Sequence, residues 1–135
     1  MMTESDILHA KILIVDDTKV NVQLMERILA MAGYTSVQST SDPQQVCLLH
    51  REHCYDLIVL DLVMPGMDGF QVMQALQQME AGVSLPVLVL SAQPEHKRRA
   101  LAAGAGDFLG KPFQLPEFQA CVRKMLAPKS AKLTD

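Results

Sequence analysis

Five side chains stand out for the places they hold: Asp16 and Asp17, Asp61, Ser91 and Lys111. Each pair or single residue follows at the end of a short apolar run, KILIV (11–15), LIVL (57–60), VLVL (87–90) or DFL (107–109). Three carboxylates brought together repel one another unless a cation joins them. Oxygen-only donors with no His or Cys nearby favour a hard ion, Mg²⁺ ahead of Ca²⁺, because so few carboxylates leave room for waters and a phosphate. Lys111 and Ser91 would add a positive charge and a hydroxyl. That set suits an incoming phosphoryl group, whose transfer depends mostly on positioning and charge neutralisation. Asp61, at the end of the central run, is the natural nucleophile, since carboxylates carry phosphoryl groups covalently.

Taken singly, each residue has a blander role. Asp16-Asp17 before a helix complements its dipole. Asp61 can simply start a turn, Ser91 can cap the helix near Pro94, and Lys111 can be a solvated charge. The joint pattern decides, because a parallel sheet brings all its strand ends to one edge.

Five runs recur at intervals of about 20 to 30 residues, with TSVQS (35–39) second and the others as above. The first, third and fourth lack alternation and are rich in β-branched residues, as strands buried on both faces are. The second alternates more, as an edge strand would. Helical signals fill the gaps. Thr18 can cap a first helix with Val20, Leu24, Ile28 and Ala32 on its stripe and Gly33 as its stop. Asp42-Pro43 opens a second through Val46 and Leu49. Phe70, Met73, Leu76 and Met79 mark a third, Pro94 to Gly104 a fourth, and Pro116 opens a fifth through Val122 and Met125. Strand and helix in alternation predict an α/β fold, a five-stranded parallel sheet with helices on both faces. Ligands bind such sheets at the carboxyl ends of the strands, where the strand order reverses. In the common order 2-1-3-4-5, strands one and three meet there and the three carboxylates converge.

The 135 residues, 49% apolar and 20% charged, describe one ordinary globular domain. A net charge of −3 argues against direct nucleic-acid binding driven by bulk electrostatics. No run approaches the roughly 18 apolar residues of a membrane span, and no signal peptide is visible. Cys47, Cys54 and Cys121 form no CxxC pair, which fits a reducing cytoplasm.

ILIVDD, LIVLDLVMPGMDGF, LVLSA and GAGDFLGKPF resemble the receiver domain of bacterial two-component response regulators, the CheY-like family. The resemblance covers residues 10 to 127, leaving 1–9 and 128–135 as flexible termini, and it implies the strand order 2-1-3-4-5. It further implies that Asp61 is the phosphoacceptor, and that Asp17 and Asp61 bind Mg²⁺ with the backbone carbonyl of Val63. Asp16 would act mainly through metal-bound water, while Lys111 and Ser91 would contact phosphoryl oxygens. Phe108 holds the aromatic switch position, and Lys111-Pro112 matches a cis-peptide site. The implied function is a phosphorylation-controlled signalling domain, a phosphoacceptor with self-dephosphorylation rather than an enzyme. Its donor would be a sensor histidine kinase or histidine phosphotransfer protein. Output would pass to an effector domain or protein, or to a homodimer, through the face of the fourth helix, fifth strand and fifth helix. Gly106 stands where the family often carries an acid or amide. Val63 offers no polar side chain to an attacking water, whereas Gln93 could.

The main alternative is a Mg²⁺-dependent phosphohydrolase with an aspartyl-phosphate intermediate. Enzymes resembling the haloacid dehalogenase family want a second Asp two residues after the nucleophile, and that place holds Val63, or Lys19 counted from Asp17. Cys47, His50, His53 and Cys54 suggest zinc but read better as packing beside an apolar stripe. Lys97-Arg98-Arg99 reads as a solvated face, and Gly104-Ala105-Gly106 stops a helix rather than opening a phosphate loop.

Overall fold

The apolar runs become strands β1 (Lys11–Val15), β2 (Ser36–Thr40), β3 (Leu57–Asp61), β4 (Val87–Ser91) and β5 (Asp107–Gly110). They pair in parallel in the order β2-β1-β3-β4-β5, the order implied by the resemblance. The computed structural model describes residues 4–62, 69–79 and 85–127. Every residue of β3 and β4 is buried, whereas β2 lies at the sheet's edge with none fully buried. That contrast matches the unbroken apolar reading of the central runs and the weaker second one.

Helices α1 (Glu4–Leu8), α2 (Lys19–Met31), α3 (Val46–His53), α4 (Gly69–Met79), α5 (His96–Ala102) and α6 (Leu115–Leu126) cover both faces. Alternate strand residues divide the core accordingly. Ile12, Ile14, Leu57, Val59, Leu88 and Leu90 pack with residues of α2 and α6, including Met25, Leu29, Phe118 and Val122. Leu13, Val15, Ile58, Leu60, Val87 and Val89 pack on the other face with Val46, Val72, Met73, Leu76 and Ala100. Burying one such side chain contributes about 1.5–3 kcal/mol, so the period-2 split holds both helical layers at once.

The helix stops lie where the glycines stand: Gly33 and Gly104 adopt φ of 101° and 106°, a region that side chains with a Cβ avoid. Asp42 accepts a hydrogen bond from the Gln44 N–H at 2.9 Å and opens a short 3₁₀ turn, Pro43–Gln45, ahead of α3.

Two expectations are corrected. The stripe on α2 is Val22, Met25, Ile28 and Leu29, while Val20 and Leu24 are 71% and 52% exposed. Apolar residues occupy a wide arc of this helix, so helical spacing admits either stripe and packing against the sheet selects one. Within the segment 1–9, expected as a flexible terminus, Glu4–Leu8 form α1 and place Ile7 in the core.

Candidate functional site

Asp16 follows β1, Asp61 ends β3, Ser91 ends β4, and Lys111 follows β5. Because β1 and β3 are neighbours, Asp16, Asp17 and Asp61 meet at one edge. One carboxylate oxygen from each lies within 4.8 Å of the others, and these three are the only such His, Cys, Asp or Glu group among the described residues. Asp16 is fully buried, Asp61 is buried, and Asp17 is exposed. Lys111 closes the site from β5: its Nζ lies 3.3 Å from Asp61 Oδ2 and 3.6 Å from Asp16 Oδ2. The backbone around it is tied in, since the Lys111 N–H donates to the Ser91 carbonyl at 2.9 Å. The Lys111-Pro112 peptide bond is cis.

Local structure positions each acid. Asp16 Oδ1 accepts the Thr18 N–H at 2.9 Å, turning the chain from β1 into α2; the expected Thr18 side-chain cap is replaced by this one. Behind Asp61 the chain returns closely on itself. The Gly69 N–H donates to the Leu62 carbonyl at 2.9 Å, and a Cβ on Gly69 would fall 2.6 Å from the Leu62 Cα. Glycine is required there by space, not by its dihedral angles.

The donor set fits Mg²⁺. It is made of hard oxygens on three acids, and Asp16 Oδ2 is buried without a hydrogen-bond partner. The Lys111 ammonium, 3.6 Å away, neutralises this oxygen but stands too far to hydrogen-bond it, so a hard cation would complete its coordination. Val63 lies outside the described residues. Beside the acids, a cavity of ≈ 350 Å³ is lined by Leu24, Met25, Pro112 and Phe113 together with Asp16 and Lys111.

Ser91 is buried at the end of β4, the strand next to β3. Its Oγ accepts the Gln93 N–H at 3.1 Å and lies 2.9 Å from His96 Nδ1. Phe108 is half-buried on β5 against the α3–α5 side of the core. The sequence alone did not single out His96, because a lone histidine at a helix start carries no spacing signal. Elsewhere, His50 is buried with its Nδ1 accepting the Tyr55 N–H at 3.1 Å, which gives the histidine of the expected packing cluster a structural partner.

Residues 12–123 match the family model described as the response regulator receiver domain. The chain is 40% identical over 132 residues to the DNA-binding dual master transcriptional regulator RpaA of Synechocystis, covering 93% of this chain and 54% of that protein. Among solved structures it resembles a putative response regulator from Chloroflexus aurantiacus, with TM-score 0.83, 30% identity, and 89% and 99% of the two chains covered. It also resembles the receiver domain of sensor histidine kinase PA1611 from Pseudomonas aeruginosa, which has a magnesium ion coordinated in its active-site cleft; here the TM-score is 0.80 at 30% identity, with 89% and 99% covered. This chain belongs to the response regulator receiver domain family, and it is a phosphorylation-controlled signalling domain of the two-component type. These relatives give the phosphohydrolase reading no support.

The chain spans about half the length of the curated relatives it matches. The expectation of no direct nucleic-acid partner, drawn from net charge, is therefore withdrawn for any longer protein, since RpaA is itself a DNA-binding regulator. No helix among the described residues is long and apolar enough to cross a membrane.

Proposed function

We propose that Asp61 is the phosphoacceptor and that it takes its phosphoryl group from a phosphohistidine of a sensor kinase or a histidine phosphotransfer protein. The single observation that carries this is the Lys111 ammonium 3.3 Å from a buried Asp61 carboxylate, with two further acids beside it. In the transfer an Asp61 oxygen bonds to phosphorus as the N–P bond breaks, and the imidazole leaves with the electron pair. Lys111 holds the Asp61 carboxylate in place and meets the charge on the incoming oxygens. Asp16, Asp17 and Asp61 would hold Mg²⁺, with the Val63 carbonyl as a further donor. When bound, the ion neutralises charge on the acids and on the phosphoryl oxygens. The Ser91 hydroxyl donates a hydrogen bond to a phosphoryl oxygen. The apolar side chains of Leu24, Pro112 and Phe113 at the mouth of the cavity supply a surface beside the site for the donor protein.

Readout runs through α5, β5 and α6, with Ser91 and Phe108 as relays; the extra helix α1 shifts the helix count by one. An effector domain or protein, or a second copy of the chain, binds this face. Gln93, exposed two residues after Ser91, would offer its amide to a water during self-dephosphorylation. A reducing cytoplasm is the compartment that suits three free cysteines.

Intact-mass measurement after exposure to a small acyl phosphate tests the assignment. Wild type gains one phosphoryl mass only with Mg²⁺ present, and Asp61→Asn gains none. Equal, stable labelling of both proteins would refute it.

A further inference from the structure

Ser91 is placed to serve the phosphoryl group, yet its hydroxyl is already engaged. Its Oγ receives the Gln93 N–H at 3.1 Å, and its other neighbour is His96 Nδ1 at 2.9 Å. A serine has one proton to give. Ser91 is 1% exposed, and among the described residues the further hydrogen-bond neighbour of its hydroxyl is that imidazole nitrogen. A neutral imidazole offers one ring nitrogen as acceptor, and in the tautomer that carries its proton on Nε2 the Nδ1 atom accepts the Ser91 O–H.

The ring is held in place. His96 is the first residue of α5, and its edge meets Phe70 at 5.7 Å and 89°. The Arg99 guanidinium lies 3.8 Å over the Phe70 ring, adding a cation–π contact one turn along α5. Phe70 in turn follows Gly69, whose N–H is tied to Leu62 directly after Asp61. The Ser91 hydroxyl is thus bonded to a side chain wedged between the starts of α4 and α5.

From this geometry we propose that His96 is a positioning residue that competes with the phosphoryl group for the Ser91 proton. The proposal rests on the reading of Asp61 as phosphoacceptor. In the unphosphorylated protein the Ser91 O–H bonds to Nδ1, and on phosphorylation it turns to a phosphoryl oxygen. The two bonds exclude each other, since there is one proton. His96 therefore sets a cost on the phosphorylated state, and its release frees the first residue of α5. The link from the acceptor pocket to α5 is then a bond that breaks at the helix N-terminus.

Titration with beryllofluoride and Mg²⁺, read by ¹⁹F NMR, tests this. His96→Phe keeps a ring against Phe70 but removes the acceptor, and it should bind the phosphoryl mimic about fivefold more tightly than wild type, the equilibrium worth of one neutral hydrogen bond. His96→Asn places an oxygen acceptor near the Nδ1 position and should return the affinity towards wild type. In a Ser91→Ala background His96→Phe should change nothing, because the proton in dispute is gone. If His96→Phe fails to fold, His96→Ala carries the same cycle. Unchanged or weaker binding by the His96 variant, or an equal gain with and without the Ser91 hydroxyl, overturns the competition and leaves the acceptor site standing. No binding by wild type overturns the acceptor reading, and the competition with it.

Discussion

The Lys111 ammonium stands 3.3 Å from the Asp61 carboxylate, bridging from the loop after β5 to the end of β3 across the whole of β4. The pair is largely withdrawn from solvent, with side chains 22% and 9% exposed, and Asp16 Oδ2 lies 3.6 Å from the same ammonium. Lys111 is therefore the resident counter-charge of the acidic group.

Replacing it should separate metal affinity from phosphoryl chemistry. Lys111→Met removes a cation that neutralises the acids, so without Mg²⁺ it should lose about 1 kcal/mol of stability, discounted from fully buried pairs for its partial exposure. It also removes a cation that competes with the metal, so added Mg²⁺ should raise its melting temperature more than that of wild type. Phosphorylation of Asp61 should nevertheless slow. Melting curves with and without Mg²⁺, beside the intact-mass assay, check the opposed directions. A smaller Mg²⁺ response in the variant would refute the competition.

Phosphorylation should be felt along α5, β5 and α6. Once the Ser91 hydroxyl turns inward, space opens towards Phe108, which is already half-buried, and burying the rest of its ring contributes about 1 kcal/mol. That would shift a two-state population about fivefold, since 1.4 kcal/mol is tenfold. Phe108 has no hydroxyl to hold an outward position, so the ring favours the inward one. Amide shifts on adding beryllofluoride should extend through residues 94–122; changes confined to the Asp61 pocket would refute the relay.

Cys54 closes α3 at φ 54°, ψ 67°, the left-handed region that disfavours a Cβ, with its N–H donating to the His50 carbonyl at 2.8 Å. Cys54→Gly should stabilise the protein by about 0.5–1 kcal/mol, the relief of strain less the greater freedom of glycine in the unfolded chain. Chemical denaturation should show a higher midpoint with an unchanged slope.

The thiols should react in sequence. Burial pushes both Cys121 and Cys47 up from the ordinary thiol value; Asp107 adds to the rise at Cys121, and Arg51 partly opposes it at Cys47. A raised value leaves less thiolate at a given pH, so alkylation at pH 8 should proceed first at exposed Cys54. Below the raised values, labelling of Cys47 and Cys121 should climb about tenfold per pH unit. Peptide mapping after timed iodoacetamide treatment gives the order, and Cys121 reacting ahead of Cys54 would contradict it.

Elements and their ends were legible in the sequence, because each follows from a few neighbouring residues. Apolar runs such as LIVL and VLVL marked buried strands, Gly33 and Gly104 marked helix stops, and the acids after the strands marked the reactive edge. The cis Lys111-Pro112 bond and the strand order came from resemblance; composition alone favours a trans bond. Tertiary structure decided what neighbouring residues cannot. The α2 sequence allows two apolar stripes, and contact with the sheet chose Met25 and Leu29 over Val20 and Leu24. Residues 4–8 became a helix with Ile7 docked in the core. Lys111 met Asp61, and Ser91 met His96, only once strands and helices had taken their places. Periodicity is a property of a segment, whereas the partner of a hydroxyl or an ammonium depends on which segments lie side by side.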